Sequence, residues 1–289
     1  MASGKIDVHS LRELTDQEIS IDKFIGTGTS IDERLYKKSA HRRDDHYLFI
    51  FQKKGRSKVI VDFKEIELID CAVLCILPGQ IHYGVAVGND TEAWLIILDT
   101  NFVNEDFRSI FEDSYFQYEA LTLPEKEAVS LNECIKLLAS VKKNRNQLNF
   151  VPQVTHTLIS ACIGMFASAY KEKENNNLPL SRSNIITLQF KRLLLQRYKT
   201  FKSTSDYATA LHMSPSYLNE VVKTTTGFAV SYWIQQAIMM EAKRQLYATD
   251  APVKEIAYSL GFADRAYFTR YFSKAQGQPP LQFRLNYRK

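Results

Sequence analysis

The sequence predicts an α+β chain: an N-terminal β-barrel or sandwich with two following helices, then an all-α C-terminal domain. Three observations predict it. Residues from about 20 to 100 run in short β-type segments, "HYLFIFQKKG", "SKVIVDF", "KEIELIDCAVLCILPG" and "AWLIILD", punctuated by Gly55, Pro78, Gly79, Gly88 and Asn89. That spacing suits antiparallel strands that close on one another. From Pro124 onward apolar residues recur at three- and four-residue steps, the period of helices. The charge is also split. Residues 1–180 carry 21 Lys and Arg against 26 Asp and Glu (−5), residues 181–289 carry 16 against 6 (+10), and together they make the chain's +5. A basic C-terminal third on an acidic body is the electrostatic form of a polyanion-binding module.

After the strands, "PEKEAVSLNECIKLLASVKKN" and "FVPQVTHTLISACIGMFASAYKEKE" give two amphipathic helices. Pro124 and Pro152 sit near their starts, where a missing N–H costs little. "YKEKENNNLPLSRSN" is polar, Asn-rich and contains Pro179, so it reads as an exposed linker. The divisions are therefore 1–174, a linker at 175–184, and 185–289.

Everything beyond the linker reads as helix. "NIITLQFKRLLLQRYKTF" is amphipathic, with Ile186, Phe190, Leu193 or Leu194, and Tyr198 on one face. "SDYATALH" follows, with Thr204 or Ser205 as its N-cap. Ser214 caps "PSYLNEVVKTTT", which has Pro215 at its first position and Gly227 past its end. "SYWIQQAIMMEAKRQLYAT" is a long fourth helix of about 25 Å. A fifth spans Val253–Leu260 and a sixth runs from about Asp264 to Ala275, stopped by Gly277 and Pro279-Pro280.

Within this part the chain repeats itself. Twice a short helix, a tight turn and a capped second helix lead to a lysine and a glycine: Lys223 with Gly227, and Lys274 with Gly277. In a helix-turn-helix the second helix enters the major groove. Two such motifs on one rigid helix could enter successive grooves, about 34 Å apart on one face of a duplex. In the sixth helix Phe268 and Phe272 form the apolar stripe, leaving Arg265, Ala266, Thr269 and Arg270 on the other side. Arginine matches guanine O6 and N7 with two hydrogen bonds. In the third helix Leu218 and Val222 face inward, leaving Ser216, Asn219, Glu220 and Lys223. Asn can read adenine and Glu can accept from cytosine N4. Ser214, Lys223 and Lys274 are the expected phosphate contacts.

These residues resemble the AraC-type (arabinose-regulator) family of bacterial transcription factors over residues 185–289. The resemblance is carried by Ile256-Ala257, Gly261-Phe262, Tyr267-Phe268, Phe272, Gly277, Pro280 and Phe283-Arg284 in order. The chain departs from the family at Ala266, Ser273, Pro279 and Val222. Ala266 lacks the hydroxyl the family usually has there, which puts that position's role in doubt. The resemblance implies base-facing roles for Ser216, Asn219, Glu220, Arg265, Ala266 and Arg270, and leans to activation. It implies duplex DNA as partner, with RNA polymerase and a small-molecule effector as further ones. The N-terminal half is similar, through "ILPGQIHYG" and "HRRDDHYLFIFQKKG", to the cupin-like sensor barrel of such regulators. The two helices after Pro124 then match the sensor's dimerisation helices.

An alternative is a cupin-type metalloenzyme with an appended helical domain. Its ligands would come from His41, His46 and His82 with Asp44 and Asp45. But His41 and His46 are five apart and face opposite sides of a strand, which breaks a two-His-carboxylate arrangement. The expectation is therefore no metal, no cofactor and no catalytic residue. The same three histidines are the candidates for an effector pocket, against the plainer reading of His82 as a turn residue and of a fully packed barrel. No nucleophile–base pairing or phosphate-binding Gly loop stands in the sequence.

Cys71, Cys75, Cys134 and Cys162 form no CxxC motif, and Cys71 and Cys75 lie about 13 Å apart along a strand. Reduced thiols, an N-terminus with no apolar core and no apolar run near 18 residues predict a cytoplasmic chain without a membrane partner. Thr157, Ala161, Gly164 and Ser168 form a small-residue stripe. It fits either a homodimer contact or packing on the chain's own barrel.

Overall fold

The computed structural model describes residues 8–9, 19–26, 43–44, 46–115, 119–143, 150–177 and 181–287. The chain divides into two compact units, with the division between Glu174 and Asn175.

The N-terminal unit is organised by β4 (His46–Lys54), whose first seven residues are all buried. Both faces of this strand are covered, which explains a run of apolar residues where a half-exposed strand would alternate. Tyr47, Phe49 and Phe51 point into a core shared with the helices, and Leu48 and Ile50 into a second core between two sheets. β4 lies between β7 (Ala72–Ile76) and β9 (Glu92–Asp99). With β2 (Ile19–Ile25) and β10 (Leu121–Thr122) they make a five-stranded antiparallel sheet. β5 (Arg56–Val61), β6 (Lys64–Ile69) and β8 (His82–Val87) make the facing three-stranded sheet. The β5–β6 hairpin turns on Asp62 and Phe63, both at positive φ (48° and 68°), the geometry of a two-residue turn matched to strand twist. Asp62 is pinned there, accepting from Gln80 Nε2 at 2.8 Å and Ile81 N–H at 3.2 Å. Two residues near the N-terminus, β1 (Val8–His9), pair in parallel with β3 (Arg43–Asp44).

A closed barrel was the expectation. Among the described residues no hydrogen-bonded strand pair joins the two sheets, so the arrangement is two stacked sheets. Val59, Val61, Ile66, Leu68 and Leu74 fill the space between them. A cavity of about 20 Å³, room for one water, remains beside Val61, Ile66, Leu74, Gln80 and Tyr170.

The outer face of the larger sheet is covered by α1 (Glu105–Asp113), α2 (Glu125–Lys143) and α3 (Val151–Asn177). Phe49 meets Phe111 and Phe166 edge-on, with ring centroids 5.3 and 5.2 Å apart. The buried Trp94 Nε1 donates to Asn132 Oδ1 at 3.2 Å, and Cys75 N–H donates to Tyr170 Oη at 2.8 Å. Burial pushes the Tyr170 phenol well above its ordinary pKa. All four cysteines are free, and Cys162 Sγ points at Cys134 Sγ across 3.3 Å. The small-residue stripe on α3 is not a continuous open face. A side chain on Gly164 would stand 3.3 Å from the Phe107 ring of α1 in the same chain.

The segment read as linker, 175–184, has helix at both ends. α3 continues to Asn177 and α4 (Arg182–Arg197) starts after the Ser181 cap. α4 buries Ile186, Phe190 and Leu194. α5 (Thr204–Ala210) is capped by Ser203 and not by Thr204 or Ser205. Only Ser203 can exchange bonds with Asp206 at the third helical position, forming a capping box. α6 (Pro215–Thr226), α7 (Val230–Ala248), α8 (Val253–Ser259) and α9 (Arg265–Gln276) follow. The chain then forms a helix the sequence reading missed, α10 (Pro280–Tyr287). Pro280 stops nothing here. It occupies the first helical position, where its fixed φ is already correct.

Phe49 is 1% exposed at the meeting of sheet and helices. Phe49→Ala is expected to cost about 3–5 kcal/mol in urea unfolding, whereas Val129→Ala, at a residue 57% exposed, stays within about 0.5 kcal/mol.

Candidate nucleic-acid interface

Two pairs of helices in the C-terminal unit are built alike. α5 and α8 each have 7 residues, and α6 and α9 each have 12. The turn after α5 is closed by His212 N–H to Thr209 O (3.1 Å) and Met213 N–H to Ala208 O (3.0 Å). The turn after α8 repeats both bonds, with Gly261 N–H to Tyr258 O and Phe262 N–H to Ala257 O, each 2.9 Å. This is the Schellman pattern, which needs a left-handed residue. Gly261 fills that place at φ 79°, and His212 fills it at φ 55°. No glycine marks the first turn, so the sequence shows the turn but not which residue takes the left-handed conformation. The second turn is one residue longer before its helix cap.

The second helices are in register at an offset of 50. Ser214 and Asp264 are the N-caps; Gly227 and Gly277, at φ 80° and 71°, are the C-caps. Ser214 Oγ accepts from Tyr217 N–H at 3.2 Å. Asp264 accepts from Ala266 and Tyr267 N–H, and those bonds, with Arg270 nearby, hold its carboxyl below the ordinary range. The lysine spacing, one residue shorter in the second motif, shows its consequence in this register. Lys223 lies four residues before its glycine and Lys274 three, so Lys223 corresponds to Ser273 and Lys274 to Thr224. One residue turns a helix by about 100°, so the two lysines point along different directions.

The buried residues of α6 are Leu218, Val221 and Val222; those of α9 are Phe268 and Phe272. Opposite them, Ser214, Ser216, Glu220, Lys223, Arg265, Ala266, Arg270 and Lys274 are exposed. Neither Arg265 nor Arg270 forms an ion pair among the described residues. Asn219 differs. It is half-buried, and its Oδ1 accepts from Val230 N–H at 3.1 Å. That bond caps α7, whose own cap residue, Ala229, has no side-chain acceptor. Bidentate reading of adenine would have to share that oxygen through its second lone pair. Thr269 is also half-buried, and its hydroxyl donates to Arg265 O at 2.9 Å. The register also matches two exposed aromatic residues. Tyr217 and Tyr267 occupy one equivalent position, 39% and 54% exposed.

α7 holds the two motifs together. Eleven of its 19 residues are buried, among them Glu241, Arg244 and Gln245. Glu241 pairs with Arg244 at 3.7 Å and accepts from Gln245 Nε2 at 2.9 Å, and Ser259 of α8 donates to Gln245 Oε1 at 2.8 Å. Arg284 of α10 donates to the carbonyls of Leu246 and Ala251.

The histidines do not come together. His46 is buried in the five-stranded sheet, opposite Asp99. His82 lies in the three-stranded sheet with Nδ1 3.3 Å from Gln80 O. His41 and Asp45 fall outside the described residues. Neither His46 nor His82 lines the 20 Å³ cavity. Among the described residues no three His, Cys, Asp or Glu side chains gather as metal ligands, and no helix is long and apolar enough to cross a membrane.

Comparison with known proteins agrees with this geometry. The helix-turn-helix domain family matches residues 207–286, from α5 through α10. Residues 207–286 are a helix-turn-helix domain of the AraC type. The chain is 26% identical over 149 residues to the HTH-type transcriptional regulator YijO of Escherichia coli K12, covering 49% of this chain and 50% of that one. It is 33% identical over 72 residues to the arabinose operon regulatory protein of the same organism, covering 25% of each. The C-terminal domain of AraT, a response regulator from Geobacillus stearothermophilus, aligns at 27% identity and TM-score 0.34 over 37% of this chain and 88% of that one. The chain spans about half the length of the YijO regulator it matches.

Two predictions follow from the turns and their neighbours. A Cβ on Gly261 would stand 2.1 Å from Lys199 O, so Gly261→Ala is expected to cost on the order of 2–3 kcal/mol. His212→Gly relieves a left-handed side chain and is expected to gain a few tenths to about 1 kcal/mol; chemical denaturation of both variants checks the pair. Lys202 is half-buried nearby, and burial pushes its ammonium down to about 8 from an ordinary 10.5. The unfolded chain keeps this proton to higher pH than the fold does, so stability gains as pH rises from 8 towards 10.5. Measured against Lys202→Met, the wild-type chain should gain stability across that window; a constant difference contradicts the shift.

Proposed function

We propose that this chain is a sequence-specific transcriptional regulator that reads duplex DNA with α6 and α9. The observation that carries this reading is the repeat. Two capped 12-residue helices, in register at an offset of 50, each keep one face in the core and one in solvent. They stand in the part of the chain that carries +10. Arg265 and Arg270 are the principal base readers, with Ser216 and Glu220 in the first motif and Ala266 at the margin. Asn219 acts through its side-chain NH2, and Thr269 through the acceptor lone pairs of the hydroxyl whose proton goes to Arg265 O. Ser214, Lys223 and Lys274 contact phosphate, and Tyr217 and Tyr267 offer matched rings and hydroxyls beside them.

The proposal extends to the N-terminal unit as a cupin-like sensor, residues 1–174, that dimerises and responds to a small molecule. Support for a sensor is its two-sheet architecture and its separation from the DNA-reading unit. A ligand of ordinary size fills about 300–1,000 Å³, so an effector would have to enlarge the cavity beside Gln80 and Tyr170. It would then act by favouring one arrangement of the chain over another, with activation through RNA polymerase as the output. The metalloenzyme alternative needs His46 and His82 on one wall, and the fold puts them in different sheets.

The test has two parts. Affinity of the full chain for a duplex selected from randomised DNA should fall steeply with salt, with a log–log slope near −0.9 per phosphate neutralised; an affinity flat with salt rejects the reading. Arg265→Ala and Arg270→Ala should each cost about 1–3 kcal/mol on that duplex and relax preference at particular base pairs, while Lys223→Ala weakens all sequences about equally. Selected sequences unchanged in both arginine variants would remove those two residues as readers.

A further inference from the structure

One contact in the C-terminal unit joins the two motifs away from their reading faces. The chain leaving α4, residues 198–202, lies against the turn of the second motif. The approach is backbone to backbone at Gly261 and Lys199 O, close enough that no side chain fits on the glycine. Lys202 completes the contact. Its ammonium donates to Tyr198 O at 2.7 Å and to Leu260 O at 2.5 Å, and lies 5.2 Å from the centre of the Phe262 ring. Leu260 is the C-cap of α8, where carbonyls lack helical partners and carry partial negative charge. The other end of Lys202 is fixed to the first motif. Its backbone N–H donates at 2.9 Å to Asp206 Oδ2, the carboxylate of the α5 capping box.

One residue thus runs from the start of α5 to the end of α8, and each of those helices leads by a closed turn into a reading helix. A half-buried ammonium is a poor source of stability, because desolvation opposes its attractions. What such a group can contribute is a defined geometry. That geometry matters for a two-headed binder. The second head gains effective concentration from the first only if the span between them matches the two grooves.

We propose that Lys202 is a positioning residue for DNA recognition: its bonds to the Tyr198 and Leu260 carbonyls fix the separation and angle at which α6 and α9 are presented to the duplex. The inference rests on the DNA-binding reading, and its first test needs no DNA. Spin labels at Thr224→Cys and Lys274→Cys, both exposed, report the distance between α6 and α9 in the full chain with the half-buried Cys71 and Cys134 replaced by serine. Lys202→Met is expected at least to double the width of that distance distribution, with a thermal midpoint at neutral pH no lower than before. In the unlabelled chain the same variant loses on the order of tenfold in affinity for the selected duplex, and nothing for a duplex carrying only half of that site. Identical distance distributions overturn the proposal whatever the DNA shows. A broadened distribution with undiminished affinity for the whole site overturns the positioning role. A wild-type chain that selects no duplex overturns the DNA-binding reading, while the distances still decide whether Lys202 locks the motifs. Should Lys202→Met not fold, Lys202→Gln, too short to reach Leu260 O, takes its place under the same criteria.

Discussion

The burial of α7 is the constraint on which the C-terminal unit depends. A 19-residue helix with eleven buried residues cannot stand alone in water; both motifs must cover it. Once they do, what each packs against confines their relative placement, and the Lys202 contact is proposed to fix it within that range. Among the buried polar residues of α7, Gln245 accepts from Ser259 of α8 and donates to Glu241, which pairs with Arg244. Arg284 closes the far end by taking the carbonyls of Leu246 and Ala251. Asn219 closes the near end by capping Val230. The two helices proposed to read DNA are thus held by one helix that is not offered at all.

This arrangement divides the labour of residues that look equivalent on a helical wheel. In α6, the side chain nearest the next helix is used to build the domain. In α9, Thr269 turns back on its own helix. The positions that stay exposed without such a duty are the arginines, Ser216, Glu220 and the paired tyrosines. Preorganised in this way, the reading surface needs little rearrangement to meet a groove.

Much of this was legible in the sequence, for identifiable reasons. Helix periods, Ser214, Asp264, Gly227 and Gly277 are local signals, and the helices they delimit stand where those signals place them. What was not legible depended on partners distant in sequence. His212 adopts a left-handed conformation that its residue type does not announce. Asn219 looks like a purely base-facing residue until Val230 is placed beside it. Pro280 reads as a stop, but with Phe283 and Arg284 to anchor it begins a helix. In the N-terminal unit the strand pattern gave strands but not their closure. An apolar run such as "HYLFIF" shows that both faces are covered, and is silent on whether sheet or helix covers them.

The measurement that bears most directly on this account is hydroxyl-radical footprinting of the full chain on its selected duplex. Two heads fixed on α7 should protect two stretches centred about 10 base pairs apart, on one face of the helix. Protection of a single stretch, or of two on opposite faces, would contradict simultaneous reading by α6 and α9.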